Sequence, residues 1–434
     1  MGLRPGGVVR GNARVPGSKS IAQRALLAAS LASGRTRIAG LPRGGDVDAA
    51  LALIEAAGAR VERLAPAAIA VTGRPPGPGR GLSPREPVSA GESGTLARLA
   101  TASLALAGSP DPGARRYEVR AEGTLLRRES RALFEALRRA GVEIEHLARA
   151  HGWPARVRPI GPPSAIAIED PASSQEVSAL CLAAAAWPDE IAVEVKGRIP
   201  SEPYLRLTLG VLERFGARLG GDLRVRGPLA APPDPIEIEP DASSAAVLLA
   251  AACLSGGRAV ALGLPRNSAQ PDLRALAHLA RFGCQTGWEP EGPWAEGRPD
   301  RGAEVDCADT PDLAPVLAAV AAGAAIRVGA ESRLFGLATL RGKESDRIDT
   351  LSRGLEAAGV LVRAERDALE IGPAAAGRTP GPILLDPQGD HRMAFAFALL
   401  GLTVEDARVS DPSCVSKSWP GFWEDLAGLG ATVA

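Results

Sequence analysis

A helical pattern made of small residues recurs six times along the 434-residue chain, and this repetition limits the possible folds more than any single motif does. Each copy is rich in Ala, Gly and Ser, is opened by polar residues, and starts roughly 70 to 80 residues after the previous one. The copies cover residues 20–33, 95–107, 174–186, 244–254, 312–325 and 391–402. Small side chains allow neighbouring elements to approach on several sides, so we expect these helices to be interior.

A second helical pattern lies between successive copies and ends each time at a glycine, the usual residue for a left-handed helix stop. The closing glycines are Gly58, Gly141, Gly216, Gly283, Gly359 and Gly430. An alternating run follows, as in residues 142–145, and predicts a strand. Charges such as Glu135 and Arg138 indicate that these second helices face solvent. The sequence therefore predicts six units of strand, buried helix, strand, amphipathic helix and strand; the alternative is coincidental helix pairs in an Ala-rich chain.

Composition narrows the function classes. A chain of this length holds two or three domains, each able to bury a core. Basic and acidic residues number 50 each, so neither nucleic acid nor an anionic membrane surface is indicated as a partner. The N-terminus lacks the apolar stretch of a signal peptide, and no apolar run reaches the length of a bilayer span.

The cysteines and histidines are scattered. Four histidines are too few and too dispersed to predict a metal cluster, so we expect no metal and no cofactor. The five cysteines form no CxxC pair, which favours reduced thiols and a cytoplasmic location. They are Cys181, Cys253, Cys284, Cys307 and Cys414.

Lysine is rare in this chain, and its positions mark three polar motifs. The four lysines are Lys19, Lys196, Lys343 and Lys417, and arginine supplies the other basic residues. Three of them lie in the motifs Pro16-Gly17-Ser18-Lys19-Ser20, Arg341-Gly342-Lys343-Glu344-Ser345-Asp346-Arg347 and Ser416-Lys417-Ser418-Trp419-Pro420. A lysine retained where arginine is the rule indicates a need for a compact, titratable ammonium group, the alternative being chance survival.

Several of the buried helices open with groups suited to anions. Lys19 and Ser20 begin the first, and Arg24 follows on the same face, so amides, hydroxyls and two cations converge there. A phosphate or carboxylate is the natural ligand, and a capped helix with surface charges is the alternative. Gly94 opens the second helix and permits close backbone approach, with Arg98 one turn further.

Serines and acids open the remaining helices. The third helix begins with Ser173-Ser174-Gln175, and a loop at residues 201–204 precedes the next; such serines are otherwise simple caps. Asp312 opens the fifth, where a positive helix end would lower its pKa and keep it ionised as a base, the alternative being an N-cap. Arg392 follows Asp390 and His391 at the sixth and could meet a carboxylate or phosphate.

These motifs, in this order, resemble those of the 5-enolpyruvylshikimate-3-phosphate synthase (3-phosphoshikimate 1-carboxyvinyltransferase) family over essentially the whole chain. The matching segments are 16–34, 91–98, 173–175, 201–204, 241–244, 266–272, 311–312, 341–347, 390–393 and 417–419. The resemblance implies an α/β (α+β) fold of two globular domains, each of three βαβαββ repeats with buried parallel helices, an inside-out α/β barrel. It also implies two chain crossovers. We expect an N-terminal-type domain at 15–228 and a C-terminal-type domain at 1–14 plus 229–434.

The resemblance also implies a reaction and a site. The enolpyruvyl group of phosphoenolpyruvate would move to the 5-hydroxyl of shikimate 3-phosphate, releasing phosphate through a tetrahedral intermediate, in the shikimate pathway to chorismate and aromatic amino acids. The protein would be a cytoplasmic monomer and a glyphosate target. The implied shikimate 3-phosphate ligands are Lys19, Ser20, Arg24, Ser173, Ser174, Gln175, Ser201, Asp312 and Lys343, and the implied phosphoenolpyruvate ligands are Lys19, Gly94, Arg128, Gln175, Arg347, Arg392 and Lys417.

The implied chemistry rests on two carboxylates. Asp312 would act as the base on the 5-hydroxyl, and Glu344 would exchange protons with the methylene carbon, unless it merely pairs with Arg347. Lys343 and Lys19 would stabilise charge. We expect an open free protein that closes on its anionic substrates.

The sequence departs from the family pattern at three positions. Glu92 stands where the family often has Asn, an arginine of some members falls at Thr124, and an Asn contact falls near Thr339. Arg128, or less favourably Arg127, would supply the missing arginine charge.

Two other functions remain open from the sequence. One is enolpyruvyl transfer to UDP-N-acetylglucosamine, although that sister family has Lys-Asn at Lys19-Ser20 and a reactive loop cysteine, whereas Cys181 lies in an apolar helix. The other is a catalytically silent metabolite-binding paralogue, which the set Lys19, Asp312, Glu344 and Lys417 disfavours.

Overall fold

The computed structural model describes residues 1–77, 81–108, 115–373 and 382–434. It divides into two compact units: an N-terminal unit, Gly17–Ile238, and a C-terminal unit made of Met1–Pro16 and Glu239–Ala434. The N-terminal unit runs past the expected boundary at residue 228 because Ile236 and Glu237 pair in parallel with Ile38 and Ala39. The other boundary follows Pro16, whose carbonyl accepts a hydrogen bond from the Asp241 amide in the C-terminal unit.

The described residues form twelve α-helices and six short 3-10 helices. The α-helices are α1 Lys19–Leu31, α2 Gly45–Ala56, α3 Gly94–Ala105, α4 Arg131–Arg139, α5 Ser174–Ala185, α6 Pro203–Arg214, α7 Ala242–Ser255, α8 Ala275–Arg281, α9 Ala314–Val328, α10 Arg347–Ala357, α11 His391–Leu400 and α12 Phe422–Gly428. The 3-10 helices are Gly123–Arg127, Gly221–Leu223, Pro271–Arg274, Pro311–Leu313, Ala338–Gly342 and Pro412–Lys417.

Twenty-four short strands accompany the helices in the described residues. They are β1 Leu3–Arg4, β2 Arg10–Ala13, β3 Arg35–Ala39, β4 Arg60–Ala65, β5 Ala68–Thr72, β6 Val88–Ser89, β7 Tyr117–Arg120, β8 Ile144–His146, β9 Ala155–Val157, β10 Ala165–Glu169, β11 Glu190–Lys196, β12 Arg218–Gly220, β13 Arg224–Arg226, β14 Ile236–Glu237, β15 Arg258–Ala261, β16 Gln285–Glu289, β17 Gly292–Glu296, β18 Glu304–Asp306, β19 Ser332–Phe335, β20 Leu361–Ala364, β21 Ala368–Gly372, β22 Ile383–Leu385, β23 Ala407–Val409 and β24 Thr432–Val433.

The three sheets of the N-terminal unit share one strand order. They run β14-β3-β5-β4, β6-β7-β9-β8 and β10-β11-β13-β12. In each sheet the first two strands are parallel and the other neighbours are antiparallel. In the second and third sheets a buried helix, α3 or α5, crosses between the two parallel strands, as crossover connections require.

The C-terminal unit repeats the same arrangement. Two sheets run β16-β17-β15-β2 and β18-β19-β21-β20. The pairs β22-β23 and β1-β24 are joined by a hydrogen bond of 2.8 Å from the Val409 amide to the Met1 carbonyl, and together give the third group. The prediction of six repeats of one supersecondary unit is therefore confirmed.

Two strands are exchanged between repeats at the points where the chain passes from one unit to the other. β2 directly precedes α1 in sequence, yet it pairs with β15 of the C-terminal unit. β14 directly precedes α7, yet it pairs with β3 of the N-terminal unit. β1 completes the last repeat through β24, so the C-terminal unit contains both ends of the chain.

The small-residue helices form the interior of each unit, as predicted. In the N-terminal unit α3 packs on α1 and α5, and in the C-terminal unit α9 packs on α7 and α11. Every residue of α7 is buried. Gly323 of α9 shows why small residues are used: a methyl group there would lie 2.5 Å from Leu254 of α7.

The second helices are amphipathic and each is followed by one of the predicted glycines. In α4, Leu133, Phe134 and Leu137 are buried, whereas Arg138 and Glu135 form an ion pair of 2.8 Å at the surface. All six closing glycines have positive φ, between 83° and 101°, so each ends its helix in the conformation that favours glycine.

One helical stretch in the described residues, Pro311–Val328, is long and apolar enough to span a membrane by length and composition alone. Its position between α7 and α11 buries 78% of it, so packing in the core accounts for its composition.

Candidate active site

Lys19 lies at the first turn of α1, where its ammonium group is held by an acid that the sequence did not reveal. Its Nζ lies 3.0 Å from Asp46 Oδ2, and the Asp46 side chain is only 6% exposed in the first turn of α2. Gln23 donates to the Asp46 carbonyl at 3.0 Å and to Ser93 Oγ at 2.7 Å, which ties α1 to the start of α3. By contrast Lys196, the lysine outside the motifs, forms an exposed pair with Glu169.

Arg24 is a buried cation whose described partners are all neutral oxygens. It donates to Thr208 Oγ1 at 2.7 Å, to the Ser20 carbonyl at 2.8 Å and to the Tyr204 carbonyl at 3.5 Å. Burial lowers the pKa of Arg24 to about 10. Because no carboxylate of the described chain pairs with it, its charge is available to an anion.

Backbone hydrogen bonds connect the two segments that contain the other serines predicted to bind phosphate. The Ser174 amide donates to the Pro200 carbonyl at 3.2 Å, and the Tyr204 amide donates to the Ser201 carbonyl at 3.1 Å. Ser173 caps α5 by accepting from the Gln175 amide. Ser201 has a φ of +52°, a conformation that costs a non-glycine residue roughly 1–3 kcal/mol and is concentrated at functional sites.

Two arginines cover the Cα atom of Gly94 at the start of α3. A methyl group at Gly94 would lie 2.6 Å from Arg128 Nη2 and 2.8 Å from Arg98 Nη1, so a larger residue would displace these guanidinium groups. Within the described residues, Arg128 Nε and Nη1 are buried without a hydrogen-bond partner. Arg127 is exposed, so of the two candidates it is Arg128 that reaches the backbone of Gly94.

The three positions that depart from the family pattern are placed as follows. The Glu92 carboxylate lies against the Cα atom of Gly123. The hydroxyls of Thr124 and Thr339 are buried and have no hydrogen-bond partner in the part of the chain that the structure describes.

Asp312 is the centre of a cationic group in the C-terminal unit. Its Oδ1 lies 3.0 Å from Arg347 Nη1 and 3.8 Å from Lys343 Nζ, and its Oδ2 lies 2.9 Å from Arg392 Nη2. Burial would raise the pKa of Asp312, but the charges of Arg392, Lys343 and Arg347 outweigh it and hold the pKa far below its usual range.

The alternative interpretation of Asp312 as an N-cap is wrong. α9 begins at Ala314, and no side-chain cap hydrogen bond is made at Thr310 or Leu313, the two positions that precede the helical turns. The low pKa comes from three side chains, so the helix end is not needed to explain it.

Arg347 is held by a second acid that is fully buried. It donates from Nε and Nη2 to the two oxygens of Asp390 at 2.8 and 3.2 Å. Burial would lower the pKa of Arg347, but Asp390 and Asp312 outweigh it and raise the pKa above its usual range. Asp390 also accepts from the Arg392 amide at 3.0 Å and so caps α11.

Glu344 is paired with His391 and Lys417, which belong to two later motifs of the sequence. Its Oε2 lies 2.9 Å from His391 Nδ1, and its Oε1 lies 3.0 Å from Lys417 Nζ. Its side chain is 9% exposed. The acidic and imidazole atoms of Glu344, Asp390 and His391 lie within 4.8 Å of one another, but Lys417 and Arg347 already neutralise the two acids, which disfavours a metal ion there.

Some residues of the candidate site were missed by the sequence interpretation. Asp46 and Asp390 hold Lys19 and Arg347, and their only sequence signal is a carboxylate in the first turn or cap of a helix. Such residues are usually caps, so no local pattern distinguishes these two. Glu176 directly follows Gln175 and is completely buried, which a polar residue beside a predicted ligand could have suggested.

Comparison with known proteins finds relatives that match almost the whole chain. The profile of the family described as EPSP synthase (3-phosphoshikimate 1-carboxyvinyltransferase) matches residues 3–426. A protein of Laribacter hongkongensis named 3-phosphoshikimate 1-carboxyvinyltransferase is 35% identical over 446 residues, covering 99% of each chain. A protein of the same name from Methanoculleus marisnigri is 36% identical over 426 residues, covering 96% of each.

Solved structures share the fold. An EPSP synthase from Acinetobacter baumannii superposes with a TM-score of 0.77 at 22% identity, covering 99% of this chain and 98% of that one. The enolpyruvyl transferase NikO from Streptomyces tendae superposes with a TM-score of 0.70 at 19% identity, covering 99% and 97%. At such identities the likeness shows the two-unit α/β fold alone.

Proposed function

Since the chain belongs to the EPSP synthase (3-phosphoshikimate 1-carboxyvinyltransferase) family and transfers the enolpyruvyl group of phosphoenolpyruvate to shikimate 3-phosphate, we propose the following roles for its residues. One observation carries the assignment. Two carboxylates, Asp312 and Glu344, are surrounded by the four cations Lys343, Arg347, Arg392 and Lys417. A phosphorylated carboxylic acid needs such cations, and proton transfer needs such acids.

Shikimate 3-phosphate is bound through its phosphate by the group around Arg24. Arg24 has neutral partners and donates to the carbonyls of Ser20 and Tyr204. The Tyr204 amide donates to the Ser201 carbonyl, and the Ser174 amide donates to the carbonyl of Pro200, the residue before Ser201. A dianion would receive hydroxyl and guanidinium donors from all of them, with Ser173 and Lys19 beside them. Gln175, Asp312 and Lys343 would contact the ring and its hydroxyls.

Phosphoenolpyruvate is bound by the remaining cations. Arg347, Arg392 and Lys417 are presented by α10, α11 and the 3-10 helix Pro412–Lys417. Arg128 offers two buried nitrogens without a partner in the described chain, and Gly94 leaves room beside them. Lys19 and Gln175 complete this set.

The chemistry is an addition followed by an elimination. The 5-hydroxyl oxygen bonds to C2 of phosphoenolpyruvate, Asp312 receives the hydroxyl proton, and Glu344 delivers a proton to C3 to give the tetrahedral intermediate. The bond from C2 to the phosphate oxygen then breaks, and C3 returns a proton to Glu344. The departing phosphate takes up the proton that Asp312 removed from the 5-hydroxyl, which regenerates Asp312, and Lys19 and Lys343 balance the phosphate charge.

Substrate binding would also prepare Asp312 for this role. In the free protein Arg347, Arg392 and Lys343 keep the pKa of Asp312 far below neutral, and so weak a base accepts a proton poorly. A phosphate and a carboxylate bound to the same cations would compensate their charge and raise the basicity of Asp312. The base would therefore become effective only after phosphoenolpyruvate is in place.

A phosphate-release assay with purified protein tests this function against its rival. We expect phosphate to appear with phosphoenolpyruvate and shikimate 3-phosphate, and not with phosphoenolpyruvate and UDP-N-acetylglucosamine. Release with the nucleotide sugar alone would refute the assignment, and release with neither acceptor would indicate a silent paralogue.

The same proposal includes a monomeric protein in the cytoplasm. The cytoplasmic location is supported by the five cysteines, which are all free thiols, four of them buried, as in a reducing compartment. Light scattering on a size-exclusion column tests the oligomeric state, and a mass near 89 kDa, twice 44.6 kDa, would contradict a monomer.

A further inference from the structure

Glu176 is a completely buried carboxylate that the proposed reaction does not use. It lies in the first turn of α5, directly after Gln175, and its side chain is shielded from solvent. Within the described residues it forms no direct ion pair. Burying a carboxylate without a paired cation costs free energy, so the hydrogen bonds of Glu176 must compensate that cost.

Both carboxylate oxygens of Glu176 accept hydrogen bonds from residues that adjoin the candidate site. Oε2 accepts from the Ala172 amide at 2.8 Å, in the loop that presents Ser173 and Ser174. Oε1 accepts from the Ser130 hydroxyl at 2.6 Å and from the Leu133 amide at 3.5 Å. Since Ser130 gives its only hydroxyl proton to Glu176, its oxygen is left to accept.

The Ser130 oxygen, oriented in this way, accepts a hydrogen bond from Arg98 and fixes the position of its guanidinium group. Arg98 Nε donates to Ser130 Oγ at 3.0 Å, and Arg98 is itself only 6% exposed. Arg98 Nη1 then donates to the Gly94 carbonyl at 2.9 Å and to Gln175 Oε1 at 3.2 Å. Because a guanidinium can only donate, the oxygen of the Gln175 amide must face it, and the NH2 group is turned away as a donor.

The arrangement also has an electrostatic reason. Arg98 and Arg128 both cover Gly94, and the charge of Arg128 adds to burial in lowering the pKa of Arg98 to about 10. The Glu176 charge opposes that shift. The buried negative charge of Glu176 therefore reduces the cost of placing the guanidinium groups of Arg98 and Arg128 next to each other.

We propose that Glu176 is a positioning residue which, through Ser130 and Arg98, fixes the donor group of Gln175 and the guanidinium of Arg128 toward phosphoenolpyruvate. This inference rests on the proposed roles of Gln175 and Arg128. Glu176 itself touches neither substrate and stays within the interior of the N-terminal unit.

Glu176→Gln tests the relay with almost no change in shape. An amide nitrogen must then face either the Ala172 amide or Ser130, so one acceptor position becomes a second donor. We expect the KM for phosphoenolpyruvate, at saturating shikimate 3-phosphate, to rise about tenfold. This corresponds to a loss of about 1.4 kcal/mol of binding free energy when the donors are no longer held in position. Ser130→Ala should raise it in the same way, and the double variant should exceed the larger single effect only slightly, because both act through Arg98.

Glu118→Gln is the matched control in the same unit. Glu118 is 11% exposed and bonds to Arg120 and Arg156 on a sheet face that belongs to no proposed binding group. We expect it to lower stability while leaving the KM for phosphoenolpyruvate unchanged.

The outcomes separate this inference from the proposed function. A Glu176→Gln protein with reduced kcat but wild-type KM would show a merely structural role, through a smaller active fraction, and would overturn the proposal. If that variant does not fold, an unchanged KM in Ser130→Ala overturns it. If Arg128→Ala and Gln175→Ala both leave substrate affinity intact, the proposed site fails instead.

Discussion

Replacing Asp312 with asparagine should change catalysis and binding in opposite directions. The variant keeps the shape of the side chain but removes its negative charge. Turnover should fall at least about a hundredfold because the proposed base for the 5-hydroxyl is lost. Binding of phosphoenolpyruvate should become tighter, because Asp312 now competes with the substrate for Arg347, Arg392 and Lys343.

The size of the binding effect follows from the contacts. Two unit charges 3 Å apart attract by about 5 kcal/mol at an effective dielectric constant of about 20. Desolvation and mobility reduce the net value to about 1 kcal/mol or less for a partly exposed pair, and the Asp312 side chain is 22% exposed. Three such pairs give roughly 1–3 kcal/mol of competition, so the dissociation constant should fall about 5- to 150-fold.

Calorimetric titration of the free protein with phosphoenolpyruvate measures this directly. Asp309→Asn is the matched control, since Asp309 is close in sequence but pairs with Arg274 at 2.9 Å and should not affect the titration. An unchanged or weaker affinity in Asp312→Asn would refute the idea that this carboxylate holds the substrate cations in the free protein.

Three further predictions concern binding and stability. Arg24→Ala should weaken shikimate 3-phosphate binding by roughly 2–4 kcal/mol, as expected for a buried charge-assisted contact, whereas Arg206→Ala, an exposed arginine paired with Glu202, should leave the dissociation constant unchanged in the same calorimeter. The pKa of Asp312 is depressed in the folded protein, so the ionised carboxylate should stabilise the fold above the unfolded-state pKa of about 4, and this stabilisation should be lost as the pH falls below that value. The unfolding free energies of wild type and Asp312→Asn, measured by denaturant titration, should therefore differ at pH 7 and converge in acid. A difference that widens in acid would contradict this. Leu254→Ala should cost about 2–5 kcal/mol of unfolding free energy because Gly323 cannot fill the space, and a change below about 1 kcal/mol would contradict the close packing of α7 on α9.

The six repeats could be predicted from the sequence because each helix and its closing glycine are recognisable within a short segment of the chain. Ala-rich stretches without a polar face predicted the buried helices, and the glycines that close the second helices have the positive φ expected of them. The observed helices begin and end within a few residues of the predicted ones, as α5 at Ser174–Ala185 illustrates.

The strand exchange was not readable from the residues of the strands themselves. β2 and β14 each precede a buried helix, as the first strand of a repeat should, but their partners lie more than 190 residues away in sequence. Nothing in four or two residues distinguishes pairing with the nearer sheet from pairing with the farther one, so only the resemblance to a known family suggested the crossovers.

The candidate site shows the same limit. Lys19, Lys343 and Lys417 stood out because lysine is rare, but their partners Asp46, Asp312 and Glu344 are set by tertiary structure. Asp312 could be mistaken for a cap because the arginines that bind it come from α10 and α11.

The relay from Glu176 to Arg98 was equally hidden. Ser130 and Glu176 are 46 residues apart, and their contact depends on how α4 and α5 pack.

The most direct test of the account is the exchange of solvent deuterium into the methylene group, because the account assigns that proton to Glu344 alone. Wild type and Glu344→Gln would be incubated in D2O with both substrates, and phosphoenolpyruvate would be recovered for mass spectrometry. We predict deuterium in the recovered methylene with wild type and strong suppression in Glu344→Gln, with shikimate 3-phosphate binding almost intact and turnover reduced at least about a hundredfold. Exchange at the wild-type rate in the variant would contradict the assignment and transfer the carbon acid to Asp312 or Lys19.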